Sequence, residues 1–183
     1  GPAERRRFMD MELSQLDKIY LSNLINYNKV VNQRNKLLKE LSFKSSEEKL
    51  ETLDIWDLQL VKYGTEVMKR RVGFVQELNE IIGGLHEKLS GGTEKLTIEY
   101  QPCVEETAFL DTVTKMRERD LRMKSTCFGP HKDDLIFFIN GSEVKKYGSQ
   151  GQQRTAALSL KLAEIELVKK VVKDTPVLLL DDV

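Results

Sequence analysis

Apolar residues near the start of the chain recur at intervals of three and four, the spacing of one buried face on an α-helix. The first such stretch is Leu13–Leu41, and it places Arg34 where an apolar residue is due. A second stretch with the same spacing is Leu53–Leu89. In the connection between them, Ser45 and Glu48 have the S-x-x-E spacing of a capping box. The pattern therefore predicts two long helices joined by a short loop, an antiparallel helical hairpin.

The rest of the chain alternates predicted strands with predicted helices. In order, the pattern predicts a strand at 95–100, a helix at 105–123, a strand at 135–139, a return strand at 143–147, a helix at 152–173 and a strand at 177–180. The dipeptide Asn140-Gly141 is typical of a hairpin turn. The predicted fold class is α+β or α/β, with a basic lead-in at 1–12, a coiled-coil-like helical arm at 13–92 and an α/β region at 93–183.

Composition narrows the class of protein. The 183 residues contain 29 Lys and Arg and 29 Asp and Glu, so no overall field attracts the chain to nucleic acid or membrane. The sequence contains no run of 18 apolar residues and no signal peptide, which predicts a cytoplasmic protein without a membrane partner. Cys103 and Cys127 are isolated, which favours a reduced intracellular protein without a zinc site.

The stretch Tyr147–Leu167 places a polar, glycine-rich loop directly before an amphipathic helix. Gly148 and Gly151 permit backbone conformations that other residues resist. The free N–H groups and the dipole of the helix N-terminus attract phosphate, and Ser149 adds a hydroxyl donor. The loop therefore indicates a phosphate site, and a polar helix cap with flexible glycines is the alternative interpretation.

Two carboxylates follow the apolar strand predicted at 177–180. Asp181 and Asp182 would lie at the carboxyl end of this strand, which is where ligands bind in open α/β sheets. In phosphoryl-transfer enzymes an Asp at this position holds Mg²⁺, and a neighbouring acid orients the attacking water. A strand that runs into an Asp-rich turn is the alternative.

The order of these motifs resembles the ABC-type ATPases. Ser149–Gln153 aligns with the S-x-G-Q core of their signature loop, and Asp181 aligns with the Walker B aspartate. Asp182 stands where most of these enzymes carry a glutamate base. Together with the stretches at 129–135 (GPHKDDL) and 2–10 (PAERRRFMD), these motifs resemble the RecF family of bacterial recombination-repair ATPases.

The resemblance implies a function in DNA repair, recombination and replication and in the SOS response. In the family, ATP between two heads drives dimerisation. Ser149 and Gly151 would contact the γ-phosphate held by the other subunit, with Gln150 beside them and Gln152 supporting the loop. Asp181 would hold Mg²⁺ through water, and Asp182 would orient the attacking water. The implied partners are a second copy, RecR and duplex or gapped DNA, at which the family helps to load recombinase.

The chain departs from the family pattern at both ends. It contains no G-x-x-x-x-G-K-[ST] sequence, and no D-loop follows Val183. The resemblance implies that the Walker A loop lies before Gly1 and the D-loop after Val183. We therefore expect a central fragment, a long helical arm plus part of a P-loop ABC-type ATPase head, that neither hydrolyses ATP nor binds ATP and Mg²⁺ stably by itself.

Three further stretches have a functional and a structural interpretation. The letters LSGG at 89–92 spell the common signature, but they end a helix, so we interpret them as a C-terminal turn. His131–Asp134 contains a His and two Asp without an evident nucleophile, and we favour a structural role. The candidate contacts to DNA phosphates are Arg5, Arg6, Arg7 and Lys132, for which a solvated or salt-bridged surface is the alternative.

A non-enzymatic interaction module is the alternative function class. In that case the helical hairpin would be the functional part and would dock RecR or duplex DNA, with the α/β region as its base. A segment of another SMC-type ATPase is a further alternative, since such proteins share the signature and Walker B motifs.

Overall fold

The computed structural model describes residues 1–44 and 46–173. The α-helices are α1 (Pro2–Leu16), α2 (Lys18–Leu41), α3 (Glu47–Leu89), α4 (Phe109–Lys115), α5 (Arg117–Met123), α6 (Val144–Tyr147) and α7 (Gln150–Val172). The strands are β1 (Leu96–Gln101), β2 (Asp134–Ile139) and β3 (Ser142–Glu143), and 3₁₀ turns lie at Glu106–Ala108 and Pro130–Lys132. The predicted fold class, α+β or α/β with a long helical hairpin, is confirmed, and the described residues are mostly helical with a small three-stranded sheet. The predicted cap at Ser45 and the strand at 177–180 lie outside the described residues.

The described chain divides into two compact units. The first contains Gly1–Arg71 and Gln101–Asp134, and the second contains Val72–Tyr100 and the chain from Leu135 onward. The domain boundaries that the sequence predicts, after residues 12 and 92, stay a prediction. Within the part of the chain that is described, no helix is both long and apolar enough to cross a bilayer.

In the first unit the end of α2 packs against the start of α3, as the helical hairpin requires. The core there contains Leu37, Leu38, Leu41 and Leu53, with Leu50, Trp56 and Leu121 packed against it. Ser46 Oγ accepts a hydrogen bond from Lys49 N at 3.3 Å, which caps the first turn of α3. The two predicted helices of the arm are therefore present and in contact.

The first arm helix does not run unbroken from Leu13 to Leu41, as the periodicity predicts. Asp17 has extended backbone angles, φ −141° and ψ 105°, and it ends α1 and begins α2. Its Oδ1 accepts hydrogen bonds from Ile19 N at 2.9 Å and Tyr20 N at 3.0 Å. An Asp that caps a helix competes with helix continuation, which explains the break. The backbone hydrogen bond from Tyr20 is the largest cause that lowers the pKa of Asp17.

Arg34, at the apolar seam position of α2, is completely buried and forms the centre of an ion network. Its Nε donates to Asp57 Oδ1 at 2.7 Å, and its Nη1 donates to Asp120 Oδ2 at 2.6 Å and to Thr126 Oγ1 at 3.0 Å. Arg117 adds a second cation, with its Nη2 2.5 Å from Asp57 Oδ2. The network ties α2, α3 and α5 of the first unit together.

The prediction of a single helix at 105–123 is wrong in detail. A 3₁₀ turn comes first, and Met116, with φ −94° and ψ 12°, separates α4 from α5. The β-branched run Thr112–Thr114 lies directly before the break, and such residues weaken a helix.

In the second unit the strands lie in the order β1-β2-β3, and β2 pairs with β3 antiparallel through the Asn140-Gly141 turn. The return strand predicted at 143–147 is wrong beyond Glu143, because Val144–Tyr147 forms a helical turn. In that stretch only Val144 is buried, so no alternating apolar face holds it in the sheet.

Candidate functional site

The glycine–glutamine loop forms the capped N-terminus of α7. Ser149 is the N-cap residue, with φ −62° and ψ 163°. Its Oγ accepts a hydrogen bond from Gln152 N at 3.1 Å, and its backbone N donates to Gln152 Oε1 at 2.9 Å. This reciprocal pair is a capping box, which the S-x-x-Q spacing of the sequence could have predicted. The helix begins at Gln150, two residues earlier than predicted.

The two glycines of the loop have different surroundings. A Cβ on Gly148 would lie 2.5 Å from the carbonyl oxygen of Val144, so the packing of α6 requires a glycine there. A Cβ on Gly151 would meet nothing closer than Ser149 Oγ at 3.8 Å, and its φ lies outside the left-handed region. The fold of this chain therefore does not require glycine at 151, where the exposed backbone is open to an approaching group.

Gln152 also connects the loop to Glu94, which lies just after the end of α3. Its Nε2 donates to Glu94 Oε1 at 2.9 Å. Glu94 Oε2 accepts from His86 Nε2 at 2.9 Å, and His86 Nδ1 lies 2.8 Å from Ser159 Oγ. The hydrogen bond from Gln152 is the largest cause that lowers the pKa of Glu94, with that from His86 next. Sequence reasoning missed Glu94 and His86, since no local pattern links them to α7.

The LSGG letters at 89–92 form a turn, as predicted. Helix α3 ends at Leu89, and Gly91 and Gly92 follow with φ of +66° and +80°. Gly92 N donates to Glu87 O at 2.8 Å, which closes the helix end. The interpretation as a C-terminal turn is confirmed.

The histidine of the stretch at 129–135 is held in a structural role in the first unit. His131 Nε2 lies 2.9 Å from Thr126 O, which can only accept, so Nε2 carries a proton. Burial lowers the pKa of His131 to about 4, which keeps the ring neutral. Nδ1 is then the acceptor for the hydroxyl of Tyr27 at 2.6 Å.

The first aspartate of this stretch, Asp133, is also buried within the first unit. Its Oδ1 accepts from Cys103 N at 2.7 Å, and its Oδ2 lies 3.6 Å from Arg71 Nη1. These contacts support the structural interpretation of His131–Asp134.

The four candidate DNA contacts have different environments. Arg5 forms a two-point ion pair with Asp134, at 2.8 Å and 2.7 Å, and Arg6 Nη1 donates to Asp133 O at 2.8 Å. Arg7 and Lys132 are exposed. Asp181 and Asp182 lie outside the described residues.

The fold defines the class of protein: the chain has the fold of part of an ABC-type ATPase head that carries a helical arm. No protein-family model matches the chain. Over 183 residues the chain is 64% identical to the DNA replication and repair protein RecF of Lachnospira eligens and 61% identical to that of Lachnoclostridium phytofermentans. Each match covers 100% of this chain and 50% of the relative.

Solved structures give the same assignment. The structure of the recombination mediator protein RecF-ATP in the RecFOR pathway matches with a TM-score of 0.91 and 37% identity, and it covers 100% of this chain and 50% of that one. The corresponding RecF-ATPrS structure matches with a TM-score of 0.91 and 38% identity. The chain belongs to the RecF family, and it spans about half the length of the curated relatives it matches.

Proposed function

We propose that the chain is part of a DNA-binding ATPase of recombinational DNA repair, whose loop at 149–152 closes over a nucleotide held by a second subunit. One observation carries the proposal. The N-terminus of a 23-residue helix presents an exposed serine cap and a glycine that the fold does not require. The matching solved structures, which are described as RecF with ATP or with ATPrS, support a nucleotide as the ligand.

The loop residues fit an anionic group. Gln150 and Gly151 are the first two residues of α7, so their N–H groups have no carbonyl of a preceding helical turn to bond. Ser149 Oγ accepts from Gln152 N, which leaves its O–H proton able to donate outward. Gly151 adds no Cβ in the path of approach. Bound ATP supplies the γ-phosphate that these donors would recognise, and Gln152 supports the loop.

The carboxylates Asp181 and Asp182 complete the proposal from the sequence. Asp181 would hold Mg²⁺ through water, and Asp182 would orient the attacking water. Both roles rest on the motif alone.

The proposed partners are a second copy of the protein, RecR and duplex or gapped DNA, where a recombinase is loaded in the cytoplasm. DNA contact is proposed for all four cations of the sequence. Arg7 and Lys132 are the first to test, since both are exposed while Arg5 and Arg6 already bind acceptors within the chain.

The experiment that tests the proposal uses a full-length RecF protein containing this chain, with Ser149→Arg. The long cation at the cap fills the space in front of α7, so ATP-dependent dimerisation is lost while nucleotide binding by each subunit is retained. Sedimentation with and without ATP measures the first quantity, and fluorescent-nucleotide titration measures the second. Equal loss of both would argue against a role across subunits.

A second candidate function, docking of RecR on the helical arm, is favoured by apolar side chains at its surface. Ile55 and Leu58 lie three residues apart on α3 and are 56% and 60% exposed. If the arm is a docking module, the chain binds RecR without ATP and the double variant Ile55→Ser, Leu58→Ser does not. Binding that requires ATP would support the first proposal instead.

A further inference from the structure

Two side chains of α7, the helix that carries the signature loop, form hydrogen bonds with residues at the end of α3 and just after it. Gln152 and Ser159 are seven residues apart, which places them two turns apart on one face of the helix, about 10 Å along its axis. Gln152 reaches Glu94, and Ser159 reaches His86. These two hydrogen bonds act together with the buried side chains of Ala156, Ala163 and Leu167 to fix the position and the rotation of α7.

Glu94 and His86 form one continuous chain of hydrogen bonds between these two side chains. Each oxygen of the Glu94 carboxylate accepts one donor, Gln152 Nε2 and His86 Nε2, both at 2.9 Å. The His86 ring and Ser159 are completely buried, so the contact between them is shielded from competing water, whereas the bonds to Glu94 are partly exposed. Ser159 Oγ in turn donates to Thr155 O at 2.8 Å. Hydrogen bonds thus link Gln152, Glu94, His86 and Ser159 in one continuous series.

The LSGG turn gives Glu94 its position. Glu94 N donates to Ser90 Oγ at 3.2 Å, and Thr93 Oγ1 donates to Ser90 O at 2.8 Å. Asn140, in the β2–β3 turn, bonds the residues on either side of Glu94. Its Nδ2 donates to Thr93 O at 3.2 Å, and its Oδ1 accepts from Lys95 N at 2.8 Å. The LSGG turn, which matches the common signature only in its sequence, therefore directs the Glu94 carboxylate toward the loop at 149–152.

We infer that Glu94 and His86 are positioning residues of the signature loop, which hold Gln152 so that Ser149 and Gly151 face the nucleotide of the second subunit. This inference rests on the proposed function for the identity of the ligand. The positioning itself follows from contacts within one unit.

The carboxylate of Glu94 faces two donors, and this makes an exchange test possible. In Glu94→Gln, an amide oxygen and an amide NH₂ group replace the two carboxylate oxygens. The oxygen can still accept from His86 or from Gln152, but the NH₂ group then faces the other donor. In Gln152→Glu, two carboxylates face each other. When both substitutions are combined, the amide at position 94 accepts from His86 and donates to the carboxylate at position 152. That carboxylate still accepts from Ser149 N, so every hydrogen bond is restored.

The test measures ATP-dependent dimerisation in the full-length RecF protein, with nucleotide binding and thermal unfolding beside it. We expect each single exchange to weaken dimerisation by about tenfold or more, and the double exchange to recover most of that loss. Nucleotide binding should change little in all three. Glu87 is an exposed carboxylate in the same turn of α3 as His86, so the Glu87→Gln variant serves as the control and should dimerise normally.

Hydrogen exchange on the 183-residue chain supplies a readout that needs no nucleotide. Glu94→Gln should speed amide hydrogen exchange at Gln152 and Gln153, whose N–H groups bond Ser149, by about tenfold, and the combined substitutions should slow it again. If Ser149→Arg does not affect dimerisation, the proposed function fails. If Ser149→Arg abolishes dimerisation but Glu94→Gln leaves both dimerisation and amide exchange unchanged, the positioning inference is wrong. The inference is also contradicted if the double variant dimerises with ATP no better than the single variants do.

Discussion

The two glycines of the loop before α7, Gly148 and Gly151, should respond in opposite ways to the same substitution. In Gly148→Ala the added Cβ would lie 2.5 Å from a backbone oxygen of Val144, so α6 must shift. Overpacking of this kind costs about 1–3 kcal/mol. In a protein of this size, each kcal/mol lowers Tm by roughly 2–4 °C, so we expect a fall of about 2–12 °C.

In Gly151→Ala the added Cβ meets only Ser149 Oγ, at an ordinary contact distance of 3.8 Å. Replacing glycine by alanine at a compatible helical position stabilises by about 0.4–1 kcal/mol, because the unfolded chain loses freedom. The Tm of the 183-residue chain should therefore stay constant or rise by roughly 1–4 °C. In full-length RecF the same methyl group stands where the phosphate would approach, so ATP-dependent dimerisation should weaken by about tenfold or more.

Differential scanning calorimetry of both alanine variants and sedimentation of their full-length forms measure these quantities. The reasoning is refuted if Gly151→Ala dimerises with ATP as the unmodified protein does, because nothing then approaches the backbone at 151. A large destabilisation by Gly151→Ala would contradict the open geometry of the loop.

Three further predictions concern the stability and activity of the chain. Arg34→Met leaves the buried carboxylates of Asp57 and Asp120 without their shared cation, so we expect a loss of about 3–5 kcal/mol in chemical unfolding. The exposed Lys36→Met, two residues away, should stay within about 0.5 kcal/mol, and equal effects would contradict the network. His131 has a pKa lowered from 6.5 to about 4, so the unfolded chain binds the extra proton and stability falls as pH drops from 6.5 toward 4. His131→Gln should flatten that part of the stability profile by up to about 3 kcal/mol, and an unchanged profile would contradict a buried neutral ring. Purified residues 1–183, which lack a Walker A sequence, should show negligible Mg-ATP turnover in a phosphate-release assay, and turnover that survives Asp181→Asn would overturn this expectation.

The sequence was informative wherever the relevant partners lie close along the chain. Periodicity predicted the two arm helices, and the S-x-x-Q spacing of Ser149 and Gln152 contains the capping box. Prediction from the sequence failed where interacting residues lie far apart along the chain. Arg34 occupies an apolar seam position, and its carboxylates lie 23 and 86 residues away, so the periodic pattern carries no sign of the buried network.

The same limit applies to the site. The motif located the loop, but the support from Glu94 comes from 58 residues before Gln152. Periodicity was also misleading at Asp17, where a cap within an otherwise continuous apolar pattern divides one predicted helix into two. Side-chain hydrogen bonds to the backbone decided the outcome there, and a count of apolar positions does not register them.

A mixed-dimer experiment tests the central claim, closure of the signature loop over a nucleotide held by another subunit, most directly. One full-length RecF subunit carries Ser149→Arg, and the other carries an inactivating substitution in its own nucleotide-binding loop. Each variant alone should fail to dimerise with ATP. Mixed together, they should form ATP-dependent heterodimers with one intact composite site, detectable by energy transfer between labelled subunits. If the mixture stays monomeric while each variant remains folded, or if the Ser149→Arg subunit dimerises with itself, closure across subunits is contradicted.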